Sequence, residues 1–177
     1  MGQNKALFLD RDGVINKDYG YVYKVNDLEI LDGIIPLCQK AVSLEYKIIV
    51  VTNQSGIGRG YYTESDFWLF MDKIKVEFAR FDVKFDSIYF APYHPESKIE
   101  KYQVGEEFRK PNEGMILQAQ KDFNLNLEQS ILIGDKPTDI QAGMKAGVGR
   151  NILIHNDVTG LGLWILLYLS IQMDCKS

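Results

Sequence analysis

Short apolar runs alternate with longer amphipathic segments along most of the chain. The apolar runs are ALFLD (6–10), KIIVVT (47–52), SIYFAP (87–92), SILIGD (130–135) and NILI (151–154). Helical periodicity covers about 34–45, 63–81, the segment from KPNEGM to about 123, and 138–147. Strands that alternate with helices form βαβ units around a parallel sheet. The pattern therefore predicts an α/β fold with a mainly parallel central sheet.

Two of the predicted helices begin at recognisable cap sequences. Thr63 opens TESD, which supplies an N-cap hydroxyl and acids in the first turn. TDIQ (138–141) has the Thr-x-x-Gln spacing of a capping box, so we expect the last helix to begin there and to stop at Gly147.

Composition and charge narrow the function classes. The chain has 177 residues, a length typical of one domain, and a net charge of -4. It shows no run of Lys and Arg, which argues against nucleic-acid binding and requires any phosphorylated ligand to be held locally. Its two cysteines, Cys38 and Cys175, lie far apart, and the N-terminus lacks a signal-peptide pattern. We therefore expect a cytoplasmic protein.

The C-terminal segment 156–177 differs from the predicted domain, 1–155. Val158 to Met173 carries no charge, but its sixteen residues are fewer than the ~20 that a membrane-spanning helix needs. We predict no spanning segment. A buried terminal strand or helix, a subunit contact and a membrane association all stay open for this tail.

Acidic side chains follow two of the predicted strands. Asp10 and Asp12 come after the first strand, while Asp135 and Asp139 come after the fourth. Turn chemistry explains the first pair and helix capping explains Asp139, but neither explains Asp135. The carboxyl ends of parallel strands meet at one edge of a sheet, and hard oxygen ligands suit Mg²⁺. The acids thus indicate a magnesium site, whereas an EF-hand is excluded by Val14 and Ile15.

Two further positions suit phosphate binding. Thr52 ends the second strand in VVTNQSGIGRG, which lacks the spacing of a dinucleotide fingerprint and the Gly-Lys-Ser/Thr of a Walker loop. Lys110 precedes Pro111, which favours an extended backbone there. A surface lysine is the ordinary alternative, but beside several acids a fixed cation offsets phosphate charge.

Four motifs stand in order along the chain: FLDRDGVI, VVTNQSG, RKPNEGM and IGDKPTD. Over about residues 5–154 they resemble the haloacid dehalogenase (HAD) superfamily of aspartyl-phosphate phosphatases. TNQSGIGRGYYTE and NKDYGYV look like the branch that removes the 7-phosphate of D-glycero-D-manno-heptose 1,7-bisphosphate, whose sister branch acts on histidinol phosphate. The resemblance implies a Rossmann-like three-layer sandwich and a role in nucleotide-activated heptose synthesis for lipopolysaccharide core or surface glycan.

The resemblance also implies roles for the acids. Asp10 would attack phosphorus and form an aspartyl-phosphate, and Asp12 would act as general acid and then general base. Mg²⁺ would be held by Asp10, Asp135 and the backbone carbonyl of Asp12. Asp139 would stand behind them and orient Lys110 or a metal-bound water.

The remaining expected contacts are with phosphate and sugar. The predicted phosphate- and substrate-binding residues are Thr52, Asn53, Gln54, Ser55, Arg109, Lys110, Lys136, Asp18, Tyr19, Gly20 and Tyr21. Arg11, between two site acids on an extended segment, is expected to point away and to be structural. Only 33 residues, Val14 to Tyr46, separate the first motif from the second strand, so no cap domain is expected.

Relatives of this kind usually carry a zinc knuckle before the Arg-Lys-Pro triplet, and this chain departs from it. The four ligand places read Ala91, Tyr93, Glu106 and Phe108, so no zinc is expected. Packing by Tyr93, Tyr102 and Phe108 is expected to replace the metal, with His94 as a polar loop residue.

The expected partner is a small sugar bisphosphate, and the expected state is a monomer or weak homo-oligomer. Histidinol phosphate or another small phosphomonoester stays open as the substrate, and so does a catalytically idle, phosphatase-like binding module.

Overall fold

A computed structural model describes residues 3–154, so the tail at 156–177 lies outside the described residues. Five strands form one sheet in the order β3-β2-β1-β4-β5, and every pairing between neighbours is parallel. The strands are β1 (Lys5–Leu9), β2 (Tyr46–Asn53), β3 (Ser87–Ala91), β4 (Ile131–Gly134) and β5 (Arg150–Leu153). All five predicted strands are confirmed to within one residue at each end.

Five helices connect the strands: α1 (Ile34–Ser43), α2 (Ser55–Gly58), α3 (Glu64–Ala79), α4 (Gly114–Phe123) and α5 (Pro137–Ala146). Four were predicted. The fifth, α2, is a single turn in the QSGIG segment, which the sequence indicated only as a glycine-rich loop.

The predicted N-cap is confirmed at α3 and is wrong at α5. Thr63 caps α3 as predicted, because its Oγ1 accepts from Asp66 N and its own N–H donates to the Asp66 carboxylate. The expected Thr138–Gln141 capping box is wrong. α5 begins one residue earlier, with Pro137 in its first turn and Asp139 Oδ2 accepting from Lys136 N at 2.9 Å. Proline suits the first helical position because the N–H it lacks would have no intrahelical partner.

Alternating strand residues face two separate layers of helix. Leu7 and Leu9 of β1 pack with α1 and α3, while Ala6 and Phe8 pack with α4 and α5. All four side chains are essentially inaccessible, as expected for a parallel sheet that is covered on both faces. The arrangement is the predicted three-layer sandwich.

The strand order determines where chemistry can occur. β1 lies at the centre, with β2 on one side and β4 on the other, so the ends of these three strands meet at one edge. The strand order changes direction beside β1, because β2 and β3 are added on one side of it and β4 and β5 on the other, and such a switch point is the usual ligand crevice of a parallel sheet. Between β1 and α1 the described chain has isolated bridges and one 3₁₀ turn, Val25–Asp27, rather than a cap domain.

Within residues 3–154, no helix is both long and apolar enough to cross a membrane.

Candidate active site

Asp10 and Lys110 meet at the centre of this edge, although one hundred positions separate them in the chain. Asp10 follows β1, and its N–H continues the sheet by donating to Ile133 O. Lys110 Nζ lies 2.6 Å from Asp10 Oδ1 and 2.6 Å from Asp139 Oδ1, and it donates to Val51 O at 2.7 Å. Three acceptors satisfy all three ammonium donors. Asp139 thus forms an ion pair with Lys110, and a role in orienting that lysine stays a prediction.

Burial and charge set the protonation of this cluster. Burial raises the pKa of Asp10 to about 7, against the opposing effect of Lys110 and with further increases from Asp139 and Asp12. Burial disfavours the charge on Lys110, but Asp10 and Asp139 outweigh it and raise the pKa of that amine above its ordinary value. Lys110 is thus held as a cation, whereas burial favours the neutral form of Asp10.

The donor set suits a divalent cation. One oxygen from each of Asp10, Asp135 and Asp139 falls within 4.8 Å of the others. Asp139 uses its oxygens on Lys110 and Lys136 N, whereas Asp135 Oδ1 is buried without a hydrogen-bond partner. Burial also raises the pKa of Asp135. A buried carboxylate oxygen without a donor fits Mg²⁺ coordination, so Asp10 and Asp135 are the side chains that would hold the ion.

Gly13 lets the two acid-bearing loops approach each other. Its φ is +82°, which L side chains rarely adopt, and a Cβ there would lie 2.3 Å from Asp135 Oδ2. Any side chain at this position would therefore displace a proposed metal ligand.

Asp12 is held by three side chains. Arg11 Nη2 donates to both carboxylate oxygens of Asp12, each at 2.7 Å, and Arg11 Nε donates to Asp12 Oδ1 at 3.0 Å. Asn16 Nδ2 donates to Oδ1 at 3.0 Å, and Gln54 Nε2 donates to Oδ2 at 3.1 Å. The carboxylate is fixed in one orientation before any substrate arrives.

Arg11 is structural, as expected, but it does not point away from the acids. Its side chain is fully buried, donates to Val22 O at 2.6 Å, and lies over the rings of Phe67 and Phe70. The expectation of opposite faces assumed a regular strand, whereas the chain turns at residues 11–14, where Val14, Ile15 and Asn16 all donate to Arg11 O.

Two predicted phosphate-binding residues use their side chains on protein groups. Asn53 Nδ2 donates to Lys110 O at 2.9 Å and Asn53 Oδ1 accepts from Lys110 N at 3.0 Å. Gln54 is 1% exposed and bonds to Asp12, Thr52 and Tyr62. Both side chains thus help to position neighbouring groups of the site, and direct contact of Asn53 and Gln54 with phosphate stays a prediction. Thr52 lies at the end of β2 as predicted, and Ser55 begins α2.

The outer predicted residues form a rim above the acids. Lys136 Nζ pairs with Asp18 at 3.1 Å and lies 3.9 Å from Asp135. Gly20 N donates to Asp18 Oδ1, which closes a tight turn. Tyr21 packs edge-on against Tyr61 at 4.8 Å, and both rings are about half exposed. Tyr19 is 64% exposed and donates to Glu29, so it lies at the outer margin.

The arm that carries Lys110, residues 92–110, is packed by aromatic rings, as predicted. Tyr93 and Phe108 have ring centroids 6.4 Å apart, and both contact the cluster that contains the buried Ala91. Tyr102 is 6% exposed, and the Ser97 hydroxyl donates to Gly58 O. Residues at three of the four expected zinc positions thus take part in apolar packing.

Two arginines lie near His94 of the same arm: Arg59 at the end of α2 and Arg109 on the arm itself. Arg59 Nη2 lies 2.7 Å from His94 Nε2, and Arg109 Nη1 donates to Tyr93 O at 3.4 Å. Burial and the nearby Arg59 lower the pKa of Arg109, and burial together with both arginines lowers that of His94. His94 is a polar loop residue, as expected.

Sequence reasoning did not assign Arg11 and Asn16 to the site, although both donate to the Asp12 carboxylate. Each lies close in sequence to Asp12, but its contact is set by the fold of the loop. The only available signal was this proximity in sequence.

Comparison with known proteins identifies related phosphatases. A HAD-hydrolase-like family model matches residues 107–162. D-glycero-α-D-manno-heptose-1,7-bisphosphate 7-phosphatase from Burkholderia mallei is 56% identical over 152 residues, 86% of this chain and 80% of that protein. The corresponding β-anomer enzyme from Haemophilus influenzae is 42% identical, covering 94% of this chain and 91% of that protein.

Solved structures show the same fold. A HAD-like phosphatase from Mesorhizobium loti has a TM-score of 0.81 and 34% identity, over 85% of this chain and 72% of its own. The D,D-heptose 1,7-bisphosphate phosphatase from B. bronchiseptica, complexed with magnesium and phosphate, has a TM-score of 0.73 and 26% identity, over 82% and 78% of the two chains. The chain belongs to the heptose-bisphosphate phosphatase family of HAD-like hydrolases.

Proposed function

We propose that this protein is a Mg²⁺-dependent phosphatase that removes the 7-phosphate of D-glycero-D-manno-heptose 1,7-bisphosphate. The observation that carries the proposal is the buried Asp10–Lys110–Asp139 cluster beside Asp12 and the partnerless oxygen of Asp135. A nucleophile, an acid, a fixed cation and a metal-binding oxygen thus converge on one crevice.

Asp10 and Asp12 carry out the bond-making and proton-transfer steps, and Lys110 and Thr52 bind the phosphoryl group. A carboxylate oxygen of Asp10 bonds to phosphorus while the bond from phosphorus to the sugar oxygen breaks, and Asp12 donates a proton to that oxygen. Asp12 then takes a proton from the water that attacks the aspartyl-phosphate, which releases inorganic phosphate and regenerates Asp10. Lys110 and the Thr52 hydroxyl bind the phosphoryl oxygens, where charge develops.

Bound Mg²⁺ would neutralise phosphate charge and keep Asp10 ionised. Asp10, Asp135 and the backbone carbonyl of Asp12 would hold it. No zinc is needed in this proposal, because aromatic packing organises the arm that carries Lys110.

The cations and rings around the acids support a substrate with a second anionic group. Arg109 and Lys136 would bind the rest of a sugar phosphate, and Tyr21 and Tyr61 would line the pocket as an aromatic wall. We favour the α anomer because relatives named for it are 56% and 48% identical, whereas relatives named for the β anomer range from 39% to 42%. The enzyme would then supply heptose 1-phosphate for nucleotide activation in the cytoplasm.

A substrate panel tests this proposal. Phosphate release is measured with the α and β heptose bisphosphates, histidinol phosphate and 4-nitrophenyl phosphate, with and without Mg²⁺, and with Asp10→Asn as the inactive control. We expect the α-bisphosphate to have the highest kcat/KM and EDTA to abolish turnover. Preference for histidinol phosphate would replace the substrate, and equal turnover by Asp10→Asn would overturn the mechanism.

An inactive wild-type protein across the whole panel would instead favour a binding module. Mass in solution, measured with and without residues 156–177, tests the expected monomer or weak homo-oligomer.

A further inference from the structure

We infer that Tyr62 and Gln54 form a positioning pair that sets the orientation of both Asp12 and the Thr52 hydroxyl. The inference rests on the proposed phosphatase function and adds two residues to it. Gln54 acts through its hydrogen bonds to Asp12 and Thr52, and Tyr62 acts through its hydrogen bond to Gln54.

The contacts specify which way the Gln54 amide points. Gln54 Nε2 donates to Thr52 Oγ1 at 2.9 Å and to Asp12 Oδ2 at 3.1 Å, and Gln54 Oε1 accepts from the Tyr62 hydroxyl at 2.5 Å. The amide nitrogen thus uses its two donors on the site, and the amide oxygen accepts on the opposite side. A flipped amide would bring its oxygen against the Asp12 carboxylate and leave the Tyr62 hydroxyl without an acceptor.

Tyr62 is rigid enough to impose this choice. Its ring is 6% exposed and stacks on Tyr23 with centroids 4.9 Å apart and planes 12° from parallel. The ring also lies directly against α2, because a Cβ on Gly56 would be 2.2 Å from Tyr62 Cε1. Burial raises the pKa of the Tyr62 hydroxyl, so it stays a donor across the working range.

The Tyr62–Gln54 pair affects two groups of the site, Asp12 and Thr52. At Asp12, Gln54 supplies a donor to Oδ2 from the β2 side, whereas Arg11 and Asn16 act from the β1 loop. At Thr52, the hydroxyl oxygen already accepts from Gln54, which leaves its own hydrogen to be donated to a phosphoryl oxygen. One amide therefore prepares the general acid and a phosphate donor together.

The test compares leaving groups, because a misplaced general acid matters most when the leaving oxygen is basic. Tyr62→Phe removes one hydroxyl and keeps the stacked ring. We expect its kcat/KM to fall about tenfold with the heptose bisphosphate, roughly the effect of one hydrogen bond, and less than about threefold with 4-nitrophenyl phosphate. Tyr89→Phe is the matched control, since it removes a hydroxyl bonded to Asp122 outside the crevice.

A double-mutant cycle separates positioning from general loosening. Gln54→Met keeps side-chain length but removes both the donors and the acceptor, so adding Tyr62→Phe to it should cause no further loss. Additive losses would overturn the inference, and so would equal losses with both substrates or an unchanged Tyr62→Phe enzyme. These outcomes require an active wild type, so failure of the proposed function itself would show separately in the wild-type assay.

Discussion

The Asn53 side chain forms hydrogen bonds with both the backbone N–H and the backbone carbonyl of Lys110. Its amide nitrogen donates to Lys110 O at 2.9 Å, and its amide oxygen accepts from Lys110 N at 3.0 Å. The two residues lie 57 positions apart, one at the end of β2 and one at the end of the aromatic arm. The arm is thus attached to the sheet immediately beside the cation that it delivers.

Removing this attachment should reduce activity more than stability. Asn53→Ala loses two hydrogen bonds, so we expect the free energy of unfolding to fall by about 1–3 kcal/mol. We expect kcat/KM to fall by about 10–100-fold, because a small displacement of a group that binds the transferring phosphate is costly. Urea unfolding and steady-state kinetics measure both. Asn112→Ala, which removes an exposed bond to Glu106 O on the same arm, is the control, and equal effects of the two variants would contradict the prediction.

The protonation of Asp10 should be visible in the pH dependence of stability. Its pKa is about 7 in the folded protein against 3.8 ordinarily, so the folded state binds this proton more tightly. The stabilisation is fully present below about pH 3.8 and is lost as pH rises to about 7.

Asp10→Asn removes this titration. In EDTA at pH 8 we expect the variant to be more stable than wild type by about 1–4 kcal/mol, with the difference shrinking toward pH 4. Urea midpoints across this range measure it. Mg²⁺ should then stabilise wild type and have little effect on the variant. Parallel pH curves for the two metal-free proteins would contradict the prediction.

Asp12 should differ from Asp10 in its effect on folding. Asp12→Ala leaves Arg11, which is 0% exposed, without its carboxylate partner, and breaking such a buried pair costs about 3–5 kcal/mol. Thermal unfolding measures this loss. Arg11→Met in the Asp12→Ala background should recover part of it, because no charge then stays buried. An Asp12→Ala protein as stable as wild type would refute the role of this pair.

The sequence predicted the strand ends and the acids well, for a physical reason. Both follow from apolar runs that end at a polar residue, which is a local property of the chain. It did not predict which groups the side chains of Asn53, Gln54 and Arg11 would contact. Those contacts depend on how three loops from different strands fold over one another, and no local pattern records them. The cap of α5 was misassigned because Thr138 and Asp139 are both plausible in a first turn.

If aromatic packing holds the arm in place, the protein should not need zinc for stability. Phe108→Ala should lower the free energy of unfolding by about 1–3 kcal/mol, since the ring is only partly buried. Val104→Ala, at a side chain 71% exposed on the same arm, should change it little. EDTA should not reproduce the Phe108→Ala effect, and elemental analysis should find far less than one zinc per chain. One tightly held zinc would overturn the packing account.

Arg109 should distinguish bisphosphates from monophosphates. Its guanidinium lies half-buried beside Arg59, so a second phosphate would relieve an otherwise repulsive arrangement. Arg109→Ala should raise KM for the heptose bisphosphate about tenfold or more and change KM for 4-nitrophenyl phosphate less than about twofold. Arg80→Ala, at an exposed site immediately after α3, is the control. Equal increases in KM for both substrates would contradict a second-phosphate role.

The burial of Arg11 behind Asp12 also constrains how this protein can change over evolutionary time. Loss of Asp10, the proposed nucleophile, removes an acid from a crowded, partly repulsive site, so an inactive descendant can keep its fold. Loss of Asp12 leaves an unpaired cation among Phe67 and Phe70, so that route requires Arg11 to change as well. Selection for a folded chain alone would therefore preserve Asp12, the proposed general acid, long after selection for activity had ended.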